Sequence, residues 1–449
     1  MPGASTVVRG LALLRQVGSA KIANTALRIV PMLAKLLLTV YAGRYLPFED
    51  LGIYGIVFAA VMILNSLLGQ SFSYVIVREL VDATPSEALN KMRDQLVLYG
   101  LNYALLAAIV VASTAVGFQP LPQNVLWFIV VLTSLEGIGA AVWSNMNAMH
   151  QQVWANAVFF VRSGLWVVPA VLLGLWDVSF RSASIILWSW VWGCVLSLLL
   201  VCYIWRYLPA GEILRSPVDW RWIFRGVSKS FPVWVGTIGL AAGVYVDRFV
   251  VQRFLSLTEV GVITFYGTFT NALIALLQAG VIAFAMPRLV RYHRERDNSA
   301  FKSEARRTIF QAAVSAAAVA ICLALVVPAL SLLTQRAALI AHLGVFWLML
   351  LGVWLRGTAE SLQTVLFSSH NDKPIWVGNL LFLLPAIGGN ALLVPILGLS
   401  GVGISAIISG AFLLGWRGKF VYPLVGRACR ATHRIARSNC ANSDSKSRI

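Results

Sequence analysis

The chain has 449 residues, of which 59% are apolar and 12% charged, and its formal net charge is +18. Soluble domains carry about 25% charged residues, and a single core stops growing at about 250–300 residues. This composition excludes a soluble enzyme and a disordered protein and indicates a polytopic membrane protein. A strongly basic balance is also typical of nucleic-acid binding, so the positions of the charges have to decide between the two.

Long runs without charged side chains predict about twelve transmembrane helices, because a helix needs about 20 mostly apolar residues to cross the bilayer. Proline and glycine near 120–122 and 395–401 split the longest runs into hairpins. The sequence therefore predicts an all-α integral membrane protein. In chain order, the helices are predicted at 18–41, 48–70, 95–118, 123–147, 153–175, 182–205, 231–253, 260–285, 306–330, 338–366, 374–394 and 399–420.

The distribution of lysine and arginine predicts the orientation, because cytoplasmic loops are enriched in both. The N-terminus, the loops after even-numbered helices with the adjoining helix ends, and the C-terminal tail hold 27 of the 36 basic residues. The loops on the other side hold only four: Arg44, Arg181, Arg253 and Arg336. We therefore expect both termini in the cytoplasm. Topology then accounts for most of the basic charge, and no nucleic-acid partner is expected.

Two segments recur at nearly fixed offsets. Residues 44–52 return at 253–261, an offset of 209, with the arginine, an acid and the glycine in matching places; a second echo joins 150–154 to 370–376. Six helices per half keep the orientation of each copy, so the sequence predicts two parallel six-helix repeats around a central cavity, which is a transporter plan. The predicted domains are an N-terminal six-helix lobe (1–206), a cytoplasmic linker (207–230), a C-terminal six-helix lobe (231–424) and a disordered basic cytoplasmic tail (425–449).

The acid shared by the two copies, Asp50 and Glu259, has two interpretations. Membrane glycosyltransferases use acids in an early outer loop to bind a metal ion or to act as a base. An acid at the start of a helix also caps free N–H groups and complements the helix dipole. We favour the capping role, and we expect neither catalytic residues nor a metal site.

Five basic residues interrupt the apolar helices, where a charge is costly and usually faces a cavity or a partner. Arg28 and Lys35 are seven residues apart and share one helix face. A cationic cavity would attract phosphate, which arginine can bind in bidentate fashion, although snorkelling and helix-to-helix pairing explain such residues too. The candidate substrate-binding residues are Arg28, Lys35, Arg162, Arg248 and Arg356.

Three acids also lie inside predicted spans, as candidates for ion coupling or ion pairing. Glu360 follows Arg356 by four residues, which predicts a local ion pair. Asp247 is expected to point away from its neighbour Arg248 and to need another partner, either a basic residue or a coupling ion. Glu136 has no cation nearby in sequence, which makes it the better candidate for proton or sodium coupling. No other cofactor is expected.

The segment Ala42–Tyr54 resembles the first-loop pattern of polysaccharide flippases in the multidrug/oligosaccharidyl-lipid/polysaccharide exporter superfamily. Residues 246–248 followed by 259–261, and residues 395–403, are similar to that family too. The resemblance implies a twelve-helix, two-lobed fold that works by alternating access. Carried over residue by residue, it adds weight only to Arg44, Asp247 and Arg248.

The cargo implied by this resemblance is an undecaprenyl-diphosphate-linked oligosaccharide, moved from the cytoplasmic to the periplasmic leaflet of the bacterial inner membrane for lipopolysaccharide or exopolysaccharide synthesis. A polysaccharide polymerase and a chain-length regulator are the implied protein partners, and no enzymatic activity is expected. Two alternatives stay open. One is an ion-coupled multidrug exporter of the same fold, and the other is a membrane-bound polysaccharide polymerase or ligase.

Overall fold

The computed structural model describes Leu27 and residues 29–81, 83–119, 121–206 and 216–426. Short 3-10 turns join some of its helices, and π-helical turns interrupt two of them, at Val161–Leu165 and Gln278–Ile282. In chain order the helices are α1 (29–45), α2 (Phe48–Leu68), α3 (Ser73–Leu80), α4 (Pro85–Ala115), α5 (Gln123–Ala148), α6 (Gln152–Trp176), α7 (Ala183–Ile204), α8 (Trp220–Tyr245), α9 (Asp247–Phe254), α10 (Leu257–Arg294), α11 (Asn298–Thr334), α12 (Ala337–Ala341), α13 (Leu343–Ser368), α14 (Lys373–Leu397) and α15 (Leu399–Gly426).

The predicted all-α membrane fold is confirmed. Within the described residues no strand occurs, and eleven helices are long and apolar enough to cross a membrane. Helix α1 lies at the position of the first predicted span. Three predicted features fall outside the described residues: Arg28, residues 207–215 of the linker, and the tail after Gly426.

Several helices extend beyond the predicted spans, because a helix continues past the bilayer wherever a cap supports it. The helix predicted to begin at 231 begins at Trp220, where the side chain of Asp219 accepts a hydrogen bond from the N–H of Trp222 at 2.9 Å. Helix α4 begins inside a predicted loop, with a capping box formed by Thr84 and Glu87. Predictions from apolar length alone therefore place these helix starts too late.

The described residues form two compact units. The first comprises the described residues up to Thr268 together with Ala329–His342, and the second comprises Phe269–Pro328 and the described residues from Leu343 onward. The division falls inside α10 and inside α11. The lobes expected at 1–206 and 231–424 stay a prediction.

The two copies of the first repeat pack against each other inside the first unit. A Cβ atom added to Gly52 would overlap the carbonyl oxygen of Leu257, and one added to Gly261 would overlap that of Phe48. The two glycines are offset by 209, and so are the two residues whose carbonyls they meet, so the contact is reciprocal. Such self-complementary contact is what two elements related by a two-fold axis make.

The second echo also has matching structure in its two copies. His150 and His370 adopt left-handed backbone conformations, with φ of 61° and 56°. In each turn the residue after the histidine donates its N–H five residues back, from Gln151 to Met146 and from Asn371 to Leu366. Both turns are therefore Schellman caps that end a helix.

Candidate functional site

A buried ion pair joins α5 to α6 in the first unit. The Nε of Arg162 lies 3.4 Å from Oε2 of Glu136, and its Nη1 donates to the backbone carbonyl of Glu136 at 3.1 Å. Trp190 on α7 donates its indole N–H to the other carboxylate oxygen at 2.6 Å. Glu136 and Arg162 are only 8% and 6% exposed. Three helices thus meet at one buried carboxylate. We call Glu136, Arg162 and Trp190 the Glu136 cluster.

The local backbone explains how Arg162 reaches Glu136. Arg162 lies in the π-helical turn Val161–Leu165, and π turns inside α-helices widen the helix and redirect its side chains. Gly139 lies against the side-chain carbons of Arg162, where a Cβ would come within 2.7 Å of Cδ. The glycine therefore leaves the space through which the long arginine passes along α5.

Lys35 on α1 belongs to the same cluster. It is half-buried, it lies in the electrostatic field of Glu136, Arg162 and Cys194, and its Nζ is 6.0 Å from the ring centroid of Phe58. The cluster therefore holds two cations and one carboxylate. The phenyl ring gives the second cation an additional, weaker partner, because a ring face attracts positive charge.

Asp247 and Arg248 pair with each other, so the prediction that they point apart is wrong. Nη1 of Arg248 donates to Oδ1 of Asp247 at 2.7 Å, and the backbone N–H of Arg248 donates to the same oxygen at 2.9 Å. The physical reason is the break after Tyr245: Asp247 opens a new helix, α9, where its short side chain can fold back onto the next residue's N–H.

Aromatic rings connect this second pair to the Glu136 cluster. The guanidinium carbon of Arg248 lies 5.3 Å from the ring centroid of Tyr245, and that ring meets Phe58 edge-on at 5.8 Å. Phe58 is the ring that faces Lys35. The first unit therefore brings five of the predicted charged residues into one neighbourhood: Lys35, Glu136, Arg162, Asp247 and Arg248.

The second unit contains a separate polar group, and it corrects another prediction. Arg356 donates to the side-chain oxygen of Asn271 at 3.0 Å, and no ion pair joins it to Glu360 among the described residues. Glu360 instead lies in the field of Arg417 on α15. Arg356 reaches across to α10, so the four-residue spacing along its own helix does not decide its partner.

Arg417 is the most deeply buried cation described, with 0% of its surface exposed. Its guanidinium donates to the backbone carbonyl of Ala359 at 2.9 Å and to the side-chain oxygen of Asn379 at 2.7 Å. The last predicted span ends at 420, only three residues after Arg417, so this arginine is grouped with the cytoplasmic charges at the helix end. Helix α15 continues to Gly426, which places Arg417 well inside the helix.

Sequence reasoning also missed Trp190. It is 2% exposed, whereas Trp188 and Trp192 are exposed and suit lipid contact. Residues 188 and 192 share one face of α7 and residue 190 lies on the opposite face, a pattern visible in the sequence. The indole N–H of Trp190 donates to the buried carboxylate of Glu136, for which the neighbouring sequence offered no partner.

Both acids of the repeat lie at helix starts, but only Asp50 caps one directly. Asp50 accepts a hydrogen bond from the N–H of Ala183 at the start of α7, at 3.2 Å. At the start of α10 the hydroxyl oxygen of Ser256 accepts from the N–H of Glu259, and that hydroxyl donates to the Glu259 carboxylate. Within the described residues no group of three or more His, Cys, Asp or Glu is placed to hold a metal ion. The capping interpretation thus fits the geometry, with the difference that Asp50 caps a helix other than its own.

The fold is similar to that of solved membrane transporters. A multidrug resistance MATE family transporter of the MOP superfamily, inward-facing, matches with TM-score 0.67 and 15% identity, covering 91% of this chain and 99% of that one. The lipid II flippase MurJ, inward closed, matches with TM-score 0.65 and 14% identity over 90% and 87%. A MATE structure in complex with MaL6 matches with TM-score 0.62 and 16% identity over 90% and 96%.

These likenesses define the fold: a multi-pass membrane protein with the all-α fold of these transporters. The sequence profile described as polysaccharide biosynthesis protein matches residues 20–293. That match covers more than half of the chain, so the chain belongs to the polysaccharide biosynthesis protein family, which confirms the predicted resemblance. Among curated protein sequences, none matches this chain significantly.

Proposed function

We propose that the protein flips an undecaprenyl-diphosphate-linked oligosaccharide from the cytoplasmic to the periplasmic leaflet by alternating access. The observation that carries this proposal is the excess of cations over carboxylates among the charged residues that lie inside the apolar spans of each unit. In the first unit Lys35 is the additional cation beside two ion pairs. In the second, Arg356 and Arg417 face the single carboxylate of Glu360.

The chemistry of the cargo explains why such an excess is useful. A diphosphate loses its hydration when it enters the membrane, and the cost of desolvating a charge is large unless opposite charges replace the water. Lysine and arginine supply those charges, and arginine binds two phosphate oxygens at once. A cationic drug would gain nothing from an excess of positive charge, so this observation favours the lipid-linked anion over the multidrug alternative, which the fold alone supports.

The Glu136 cluster also suggests how an ion could be coupled to transport. A diphosphate bound to Lys35 and Arg162 would compete with Glu136 for both cations, and a proton would neutralise the carboxylate that has lost its counter-charge. Glu136→Gln should then flatten the dependence of transport on pH. Transport by Glu136→Gln with an unchanged pH profile would contradict this coupling role.

The proposal is tested with the full chain in proteoliposomes that contain a fluorescent oligosaccharide linked to undecaprenyl diphosphate. Flipping is measured as the fraction of label that a membrane-impermeant quencher reaches with time. We expect Lys35→Gln to slow flipping about tenfold, since a hydrogen bond to a charged group contributes about 1.5–3 kcal/mol. The control, Lys419→Gln, removes an exposed cation of α15 and should leave the rate unchanged.

Two outcomes would contradict the proposal. One is a wild-type protein that does not flip the labelled lipid but moves a cationic dye across the same vesicles. The other is full activity of Lys35→Gln. The cytoplasmic location of both termini, the inner-membrane location and the association with a polymerase and a chain-length regulator belong to the same proposal.

A further inference from the structure

Three arginines from distant parts of the chain meet at Tyr45, at the end of α1. The guanidinium carbons of Arg44 and Arg181 lie 5.5 Å and 4.9 Å from the Tyr45 ring centroid. Arg336 donates through Nη2 to the backbone carbonyls of Arg44 at 3.0 Å and Leu46 at 3.1 Å. All three belong to the first unit. We call this group the Tyr45 site.

The fold holds two of these arginines and the ring in place. Nε of Arg181 donates to the carbonyl of Gly174 at 2.8 Å. The ring of Tyr41 packs 5.5 Å from that of Tyr45, and its hydroxyl lies against Gly174, where a Cβ would overlap it. An arginine has five N–H donors, so Arg181 and Arg336 retain donors beyond these backbone contacts.

Carboxylates do not neutralise the Tyr45 site. Among the described residues no acid lies within 4.0 Å of a nitrogen of the three arginines, because every ion pair found there joins other residues. Two acids close to these arginines in the sequence have backbone partners instead: Asp50 accepts from the N–H of Ala183 at 3.2 Å, and Asp177 accepts from the N–H of Ser179 at 2.9 Å. The site therefore presents positive charge to its surroundings.

We propose that the Tyr45 site binds a phosphate group carried by a lipid. Guanidinium groups without a carboxylate partner suit phosphate oxygens, which they bind in bidentate fashion. In the predicted orientation the site lies on the outer face, where the diphosphate of the cargo would arrive. The identity of that lipid rests on the proposed function, whereas the chemistry of the site does not. A phospholipid of the outer leaflet offers the same phosphate chemistry.

The test uses the full chain in phosphatidylcholine nanodiscs and a photoreactive undecaprenyl diphosphate. Cross-linked peptides are identified by mass spectrometry, so that binding at residues 41–48 is separated from binding elsewhere. Arg44→Gln is the informative variant, since the Arg44 side chain makes no hydrogen bond within the described part of the chain. Arg253→Gln, the counterpart in the other repeat, is the matched control, because it too is exposed.

We expect Arg44→Gln to lower cross-linking at 41–48 about tenfold and Arg253→Gln to leave it unchanged. Competition by excess phosphatidylglycerol, equal to that by unlabelled undecaprenyl diphosphate, would support the site and assign it to bilayer phospholipid. Equal competition by inorganic pyrophosphate would overturn the lipid part of the proposal. Unchanged cross-linking in Arg44→Gln and in Tyr45→Leu would overturn the site.

The cross-linking assay in nanodiscs and the flipping assay in proteoliposomes together separate this inference from the proposed function. If the wild-type protein flips the labelled lipid but no cross-link forms at 41–48, the Tyr45 site is wrong and the flippase stands. If the Arg44-dependent cross-link forms but no flipping occurs, the site stands and the proposed function fails.

Discussion

Removing the carboxylate of Glu136 should destabilise the protein more than removing its partner Arg162. Glu136→Gln keeps an acceptor for the indole N–H of Trp190 but leaves Arg162 buried with a second cation, Lys35, in its field. An uncompensated buried charge costs about 3–5 kcal/mol. Arg162→Gln leaves the carboxylate with Lys35, so its cost is closer to that of unsatisfied buried hydrogen bonds, about 1–3 kcal/mol.

The free energies of unfolding are measured by titrating detergent-solubilised protein with a denaturing detergent and following tryptophan fluorescence. A double-mutant cycle of Glu136→Gln and Arg162→Gln isolates the pairwise energy. We expect the double variant to be more stable than Glu136→Gln alone, because it removes the unpaired arginine. Adding Lys35→Gln to Arg162→Gln should raise the cost toward that of an unpaired carboxylate.

Equal costs for Glu136→Gln and Arg162→Gln would refute the reasoning, since the difference rests on Lys35 as a second counter-charge. A coupling energy within about 0.5 kcal/mol of zero, the range for independent sites, would show that the observed pair contributes nothing to stability.

Three further predictions concern a left-handed residue, a close contact between helices and an aspartate in a turn. His150→Gly should raise the midpoint of thermal unfolding, because a non-glycine residue in the left-handed region costs about 1–2 kcal/mol. Gly52→Ala should destabilise by about 1–3 kcal/mol or more in chemical unfolding, since the new Cβ meets the carbonyl of Leu257. The hydrogen bonds from the N–H of Ala300 and the side chain of Ser299 lower the pKa of Asp297, so its contribution to stability is present at neutral pH and declines as the pH falls through that lowered value. In thermal unfolding across acidic pH, Asp297→Asn should show a smaller decline than the wild-type protein.

Each of these has a control. His150→Ala keeps the left-handed strain and should show no gain, so a gain equal to that of glycine would contradict the backbone explanation. Gly100→Ala is a glycine substitution inside α4 with no atom within 4 Å of the new Cβ, and it should be neutral or stabilising. A Gly52→Ala protein as stable as Gly100→Ala would show that the helices at Gly52 have room to separate. For Asp297, identical pH profiles of Asp297→Asn and the wild-type protein would contradict the conclusion that its ionised carboxylate contributes to stability.

The helix count followed from the sequence because hydrophobic length is a local property. Helix ends were less predictable: Arg221, Arg225 and Lys229 gave 220–230 the composition of a loop, although α8 begins at Trp220. Outside the bilayer, polar side chains do not oppose helix formation. Residues 220–230 therefore need only a cap and backbone hydrogen bonds to be helical. Apolar length predicts the part of a helix that lies in lipid and not its full extent.

The partners of the buried charges could not be read from spacing. Arg162 meets Glu136 across two helices, and a π-helical turn alters the face on which Arg162 lies. For Arg356, a residue four positions away was the nearest partner in sequence, yet Asn271 on another helix is the partner in space. Sequence identified most of the charged residues that matter, whereas the three-dimensional packing decides which charge each one meets.

The reciprocal contact at Gly52 and Gly261 fixes the distance between two helices. Each glycine lies directly against a backbone carbonyl of the other copy, so α2 and the first turns of α10 have no space to approach further, and a slide by one residue would place Leu51 or Val260 against that carbonyl. A second close contact lies one turn further on, where a Cβ added to Gly55 would overlap the side-chain oxygen of Thr264. Two contacts along the same pair of helices therefore hold both their separation and their register, so the duplicated segment ties α2 to the first turns of α10 as one rigid element.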